Sequence, residues 1–477
     1  MVTLNDFLII ENNSEIFDFR FEFDNILMWP FIRVILYDIP IFKECKLVNP
    51  QALRERLSLK DEVLYIKNTI LNNPYKGSLK KYDILMFCSG ITNVRKKKKY
   101  LNRFIDYFAF VYKDKSLLIE DSVRRKYYTP RVFPNICYHD FIRIMGYIRS
   151  KFPKASSKDI FMVKSFLGFL KEKFPYKLED SDLRLIGNYL LRISKSLNVF
   201  YYFYNKLFDK FDPKIIFLKD ASYGVRSYIL KWAKSRNIIT IELQHGLVSK
   251  NHRAYNYGGT ILSSDEYKEY LPNYFLTYGK YWSDSINLPV KKVIIGNPNY
   301  SENMKKTKNS VDGGKDKTKK EILIISGGVM PNIFKKLALE ISSVVDNSKY
   351  DIVFRPHPSE CPMVKDRYCE LFICDKIRLD SKQDIYLSLT RSDFVIGAAS
   401  TVLFEALGIC KGVFVIDHPL TDLHVPKGII KRFSSVEELL DLIQRCDNLG
   451  NETDINYVWE PNWESNFKRF MNNLIEL

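Results

Sequence analysis

The chain has 477 residues, 46% hydrophobic and 14% aromatic, enough to fill the cores of two ordinary α/β domains and to exclude wholesale disorder. Its formal charge of +17 fits nucleic acid, an anionic membrane surface, or acidic small molecules and polymers as partners. The most apolar stretch, 25–42, is broken by Pro30, Arg33, Asp38 and Pro40, so no membrane crossing is expected; the opening MVTLNDFLIIENN lacks the basic start and small-residue cleavage site of a signal peptide.

Residues 1 to 210 mix helical periods with few strands and are rich in aromatic and basic side chains. One strand is clear, YDILMF at 82–87, followed by the turn-like Cys88-Ser89-Gly90. Residues 95–99 are five consecutive cations, and 143–177 holds nine Lys and Arg against Asp159 and Glu172, with Phe161, Phe166, Phe169 and Phe174 interleaved. Basic helices with aromatic insertions suit anionic lipid surfaces, and no RNA- or DNA-binding motif accompanies the pattern. The eight cysteines include no CxxC pair, so buried reduced thiols of a cytosolic protein are expected.

From 211 the text becomes strand, helix, strand. KIIFL (214–218) ends at Lys219-Asp220, a helix is expected over 222–235, and IITIEL (238–243) ends at Gln244-His245-Gly246. Strands follow at 274–279 and 292–296. Residues 301–320 hold seven lysines and three acids with no apolar period, and read as a flexible linker. Beyond it, 321–328, 351–356, 394–398 and 413–417 alternate with helices, and a last helix over 463–476 has no strand after it. The prediction is an α/β chain of two Rossmann-like domains facing a central cleft: 1–300 on the acceptor side, 301–320 a linker, 321–477 the donor-nucleotide domain. The last helix is free to return to the first domain. Ligands of such parallel sheets bind outside the carboxyl ends of the strands.

Those ends carry the candidate chemistry. DIVFRPHP runs a strand into a loop where Pro356 and Pro358 fix the direction of His357, expected to meet a donor phosphate with help from Arg355. DFVIGA runs into Ala399-Ser400-Thr401 at a helix start, where hydroxyls and backbone N–H groups attract an anion. Glu405, one turn on, is either a ribose or base contact or a solvent-facing carboxylate. In the other domain His245 is the candidate general base, an imidazole being the side chain suited to proton transfer near neutral pH, with Asp220 its best rival and Glu242 another. Gly246 is expected to let the backbone turn tightly, and His252, Arg253 and Tyr255 to contact the acceptor or gate the site. His139, His418 and His424 have weaker contexts.

A P-loop and a GxGxxG are both missing, and Asp180-Ser181-Asp182, which spells a DxD, starts an amphipathic helix and reads as a cap. No His/Asp cluster has metal-ligand spacing, so metal-independent chemistry without a resident cofactor is expected.

Gln244-His245-Gly246, Arg355-Pro356-His357-Pro358 and Ser400-Thr401 resemble, in order, a signature of bacterial surface-polysaccharide transferases of GT-B architecture. The His-Pro and Ser-Ser/Thr pair is similar to the donor motifs of CMP-sugar sialyltransferases and Kdo transferases; the early His-Gly with a later Arg-x-His-Pro is similar to CDP-glycerol glycerophosphotransferases. The chain departs from both: the sialyltransferase acidic-acidic-Gly motif is missing, and Gln-His-Gly stands where the second group has Trp-His-Gly. The resemblance implies a glycosyltransferase of capsule or O-antigen assembly. It also implies a cytidine-nucleotide donor (a CMP-sugar above all), no catalytic metal, and a glycan or lipid-linked acceptor at the inner membrane face. Gln244, Gly246 and His252 would then serve the acceptor, and Arg355, His357, Pro358, Ser400, Thr401 and Glu405 the donor. A CDP-alditol polyol-phosphate transferase, a sugar-nucleotide epimerase of the same fold and a non-catalytic scaffold are the alternatives.

Overall fold

The computed structural model describes residues 3–44, 58–76, 80–152, 154–310, 318–328, 330–358, 360–380, 384–425, 427–449 and 453–475. Two parallel sheets organise them. The first contains β1 (Ile84–Ser89), β4 (Ser116–Asp121), β5 (Ile136–Tyr138), β6 (Ile215–Leu218), β7 (Ile239–Leu243), β8 (Tyr274–Thr277) and β9 (Lys291–Ile294), in the order β5-β4-β1-β6-β7-β8-β9. The second contains β10 (Lys320–Ile325), β11 (Tyr350–Arg355), β12 (Ile377–Leu379), β13 (Phe394–Gly397), β14 (Gly412–Ile416) and β15 (Lys431–Phe433), in the order β12-β11-β10-β13-β14-β15. A separate antiparallel hairpin, β2 (Asn93–Lys96) with β3 (Lys99–Asn102), leaves the end of β1.

Each sheet starts at a central strand, runs outward on one side, then returns to build the other. The order therefore reverses between β1 and β6 and between β10 and β13, and such reversals open the crevice where ligands of doubly wound sheets sit. The central strands are buried on both faces, which explains their unbroken apolar text: ILMF in β1, IIFL in β6, FVI in β13. The fold is α/β with two Rossmann-like domains, as expected.

Residues 301–310 depart from the expected open linker. They belong to a helix, Pro298–Ser310, while 311–317 lie outside the described residues. Asn297 Oδ1 accepts the Tyr300 N–H at 3.1 Å, and Tyr300 stacks on Trp459 with ring centroids 4.6 Å apart. A capped start and one aromatic anchor outweigh the polar text of this helix. The chain crosses back near 457–463. Trp282 Nε1 donates to the Val458 carbonyl at 2.8 Å, Trp459 Nε1 to the Phe404 carbonyl at 2.9 Å, and Gly296, at φ +94°, lacks the Cβ that would meet the Glu460 carbonyl. The last helix, Trp463–Ile475, then lies on the first sheet, its Phe467, Met471 and Leu474 packed with Ile84, Met86 and Phe217.

The apolar stretch near the N-terminus is a helix, Trp29–Glu44, that carries Pro40 inside it. Its Arg33 is buried against Glu11 and also donates to the carbonyls of Arg253 and Asn256. Glu11 accepts in addition from Trp29 Nε1 and the Gly258 N–H, so the N-terminal segment braces loop 249–259 from behind. Among the described residues no helix is long and apolar enough to cross a membrane. Asp180-Ser181-Asp182 opens the helix Asp180–Phe211, where Asp182 accepts the Glu179 N–H at 2.9 Å in a capping box. Of the described cysteines, Cys88, Cys137, Cys410 and Cys446 are buried as expected, but Cys361 and Cys369 are exposed because they sit on short surface turns after β11.

Candidate active site

Just past the end of β6, Asp220 adopts a left-handed conformation (φ +58°). At the neighbouring end of β7, His245 Nε2 lies 3.0 Å from Asp220 Oδ1, and Lys219 Nζ lies 3.0 Å from Oδ2. Burial by itself raises the Asp220 carboxyl, but the hydrogen bond and charge of His245, followed by Lys219, hold it well below the usual carboxylate range. Asp220 and His245, expected as rivals, are thus one pair. The carboxylate pairs with the imidazole at Nε2, and the other ring nitrogen, Nδ1, is buried with no hydrogen-bond partner among the described residues. The rings of Phe104 and Tyr223 flank His245, with centroids at 6.3 and 5.8 Å.

Several residues expected around this pair do other work. Gln244 is fully buried: its Oε1 accepts the Tyr278 N–H at 2.9 Å and its Nε2 donates to the Gly246 carbonyl at 2.9 Å, so it ties the ends of β7 and β8 and has no surface left for an acceptor. Gly246 does not occupy the left-handed region, and a Cβ there would meet nothing within 4 Å, so a tight turn does not explain it. His252 is buried too, accepting the Ala254 N–H on Nδ1 at 3.2 Å with Nε2 3.2 Å from the Tyr223 hydroxyl. Burial, then Arg253, then His424 across the domain boundary push its pKa well down, so it is a neutral support of loop 249–259.

Glu242 is fully buried inside β7 and accepts from Ser222 N at 2.9 Å and the Tyr255 hydroxyl at 3.1 Å, which removes it as a base. Burial, opposed by the Ser222 hydrogen bond, raises its pKa from 4.5 to about 7. A raised carboxyl favours the protonated fold. Its stabilisation is complete below about pH 4.5 and is lost as pH rises through about 7, a change of about 3 kcal/mol for so deeply buried a group. Glu242→Gln keeps the neutral shape. Urea unfolding from pH 5 to pH 8 should therefore show a shallower loss of stability in the variant than in the wild type, and parallel curves would contradict the assignment.

The second domain has strand ends of its own that carry polar residues. The His357 N–H donates to Ser326 Oγ at 3.0 Å and to Glu360 Oε2 at 2.9 Å, which locks the loop after β11 onto the end of β10. There Gly327 and Gly328 have φ of +66° and +81°, and a Cβ on Gly328 would sit 3.1 Å from the His357 ring. Conformation favours glycine at both positions, and at Gly328 the His357 ring also leaves no room for a side chain. Crowding by protein atoms lowers the His357 pKa against the opposing pull of Glu360, and Arg103 lowers it further. Pro358 beside it is exposed. Arg355 is not directed at a ligand: Nη1 reaches Asp380 at 3.0 Å and Ser388 at 2.8 Å in a buried pair that fastens β11 to the helix Ile385–Leu389.

Ser400 caps the six-residue helix Thr401–Ala406, accepting the Val402 N–H at 3.3 Å, with Thr401 half-buried next to it. Glu405 faces inward. Burial raises its pKa, opposed by the Tyr386 hydroxyl and then by Arg103. The buried Tyr300 hydroxyl has no hydrogen-bond partner among the described residues, and it too feels the charge of Glu405. His418 and His424 lie on the adjoining helix Pro419–His424: His418 caps its start and His424 is buried toward Arg253. Ser249 Oγ donates to the Leu423 carbonyl at 3.1 Å and Asn251 Nδ2 to the Asp422 carbonyl at 2.7 Å, clasping that helix end to the first domain. His139 sits far inside its own domain, 2.8 Å from Asp121 and 2.7 Å from the Tyr204 hydroxyl.

Two participants escaped the sequence reading. One is the Gly327-Gly328 turn, which a Gly-Gly after an apolar strand could have flagged. The other is Arg103. Asn102 before it is fully buried, bonded to the Ser89 carbonyl and to the N–H groups of Phe104 and Ile105; Phe104 after it meets His245. Arg103 itself is exposed, and its charge acts on His357, Tyr386 and Glu405 of the other domain. No three His, Cys, Asp or Glu side chains among the described residues gather as a metal site would need.

No family description matches the chain, and no curated protein does. Similar solved structures include a UDP-GlcNAc 2-epimerase from Neisseria meningitidis bound to UDP-GlcNAc, with 13% identity, 83% of this chain, 100% of that one and a TM-score of 0.46. The wall teichoic acid polymerase TagF (10%, 87%, 93%, 0.39) and Acinetobacter baumannii MurG (8%, 83%, 100%, 0.40) are others. At such values the functional reading rests on the site itself.

Proposed function

We propose that this protein transfers a sugar from a nucleotide-activated donor, a CMP-sugar by preference, to a glycan or lipid-linked acceptor of a bacterial surface polysaccharide. One observation carries the reading. A carboxylate-paired imidazole with an unpartnered Nδ1 stands at the strand ends of one sheet, and His357, Ser400 and Glu405 stand at the strand ends of the other. In this scheme His245 Nδ1 takes the proton of the acceptor hydroxyl while Asp220 holds Nε2–H. The acceptor oxygen attacks the anomeric carbon and the bond from that carbon to the phosphate oxygen breaks. The departing nucleotide keeps the electron pair, its charge met by His357, the Ser400 and Thr401 hydroxyls, the amides near Gly328 and Arg103. Glu405, set between buried tyrosines, suits the ribose hydroxyls.

A thermal-shift screen with CMP, CDP, UDP and GDP tests the donor. Stabilisation by cytidine nucleotides alone is the expected result; stabilisation by UDP alone would remove the cytidine assignment, and a response to none would remove the donor site. Donor labelled at phosphorus separates the nearest rival, since a polyol-phosphate transferase would carry that label into product. Conversion of donor without acceptor would instead mark an epimerase.

A further inference from the structure

The helix Leu59–Leu71 has an apolar stripe turned to solvent. Leu59 is 82% exposed, Val63 65%, Ile66 56% and Ile70 49%, and their spacing puts all four on one face. The opposite face does the packing. Asn68 and Thr69 are buried, Tyr65 stacks on Tyr127 at 5.6 Å and Asp61 pairs with Lys126 at 3.4 Å.

The loop holding Tyr127 also holds Tyr128, whose ring meets Tyr100 of β3 at 5.4 Å. Helix and β2–β3 hairpin therefore flank one loop. The hairpin exposes all five cations of 95–99, and no described carboxylate pairs with any of them. Lys60 and Lys67 add exposed cations on the helix, against the exposed Glu62. Single exposed leucines or lysines are ordinary surface, but a four-residue stripe bordered by unpaired cations is the pattern of a helix that lies in a membrane interface. The sequence reading named 95–99 and 143–177 for such a surface and passed over 59–71.

We propose that this face docks the protein on an anionic phospholipid bilayer, the stripe of 59–71 seated at the headgroup boundary and the hairpin of 95–99 over the phosphates. Charge decides the occupant. A second copy of the chain would bring like charges together around the stripe, whereas anionic lipid neutralises them. The proposal does not rest on the transferase reading.

The test is sedimentation of the full chain with vesicles of equal parts phosphatidylglycerol and phosphatidylcholine, and with phosphatidylcholine alone. Binding to the mixed vesicles only is expected. Ile66→Asp should weaken it by at least about tenfold, and Lys97→Ala with Lys98→Ala by roughly fivefold for each cation removed. Both variants should unfold at the wild-type temperature, since the positions are exposed. No wild-type binding, or variants that bind like wild type, would overturn the proposal. So would Ile66→Asp converting a dimer to a monomer in size-exclusion chromatography with vesicle binding unchanged, which would give the stripe to a second copy. A failed nucleotide screen would sink the transferase reading and leave this one standing.

Discussion

Replacing His245 by alanine is expected to lower kcat by about 10²–10⁴ while leaving nucleotide affinity at the wild-type level. The separation matters, because a donor-binding histidine would lose affinity as well. Asp220→Asn keeps the imidazole but removes the charge that orients it, since Nε2 lies 3.0 Å from the carboxylate. It should lose most of the same factor, and the double variant little more than His245→Ala alone, because the two residues act as a unit. Steady-state kinetics on the four proteins, with the donor found by the nucleotide screen, read this directly. Multiplying losses would mean that Asp220 and His245 work separately.

Arg103→Ala should weaken nucleotide binding by roughly 10- to 100-fold, the value of a charge-assisted contact to phosphate. Affinity for the nucleoside, which has no phosphate, should not change. His357→Ala should show the same selectivity from the other domain. Calorimetric titration of nucleotide and nucleoside into each variant makes the comparison. Equal losses for both ligands would place Arg103 at the sugar or base, and a fall in kcat alone would place it at the acceptor. Arg103 leaves a rigid base: Asn102 is fully buried with both ends of its amide bonded. Little side-chain entropy beyond its own is spent in ordering the contact.

The central strands were readable because parallel strands buried on both faces need continuous apolar text, and 84–87, 215–218, 322–325 and 394–396 supply it. Strands β4, β5, β12 and β15 were not. β4 ends in Glu120 and Asp121, both buried, which read as a polar boundary until Arg131 and Arg226 are seen to pair them. The other three are three-residue strands, too short to show a period. The hairpin was hidden in a run of lysines, where Lys97 takes a left-handed conformation that no glycine announces.

Polar residues next to the site divided the same way. Residue type and strand end identified His245, Asp220, His357, Ser400 and Glu405 as candidates. The same logic named Gln244, His252 and Arg355, whose hydrogen-bonding capacity is taken up by Tyr278, Tyr223 and Asp380. A polar side chain at a sheet edge is available to a ligand only if the fold has not already satisfied it, and those partners lie more than twenty residues away in sequence.

The sequence by itself determined two doubly wound sheets and the strand ends that carry histidines, because strand periodicity and turn chemistry are local. Tertiary structure alone decided that Asp220 and His245 form one pair, that the charge of Arg103 is felt by His357 and Glu405 of the second domain, and that 59–71 leaves its apolar face exposed. Each of these depends on which distant side chain sits within a few ångströms. Parallel sheets built through long crossovers fix such distances only when the whole chain has folded.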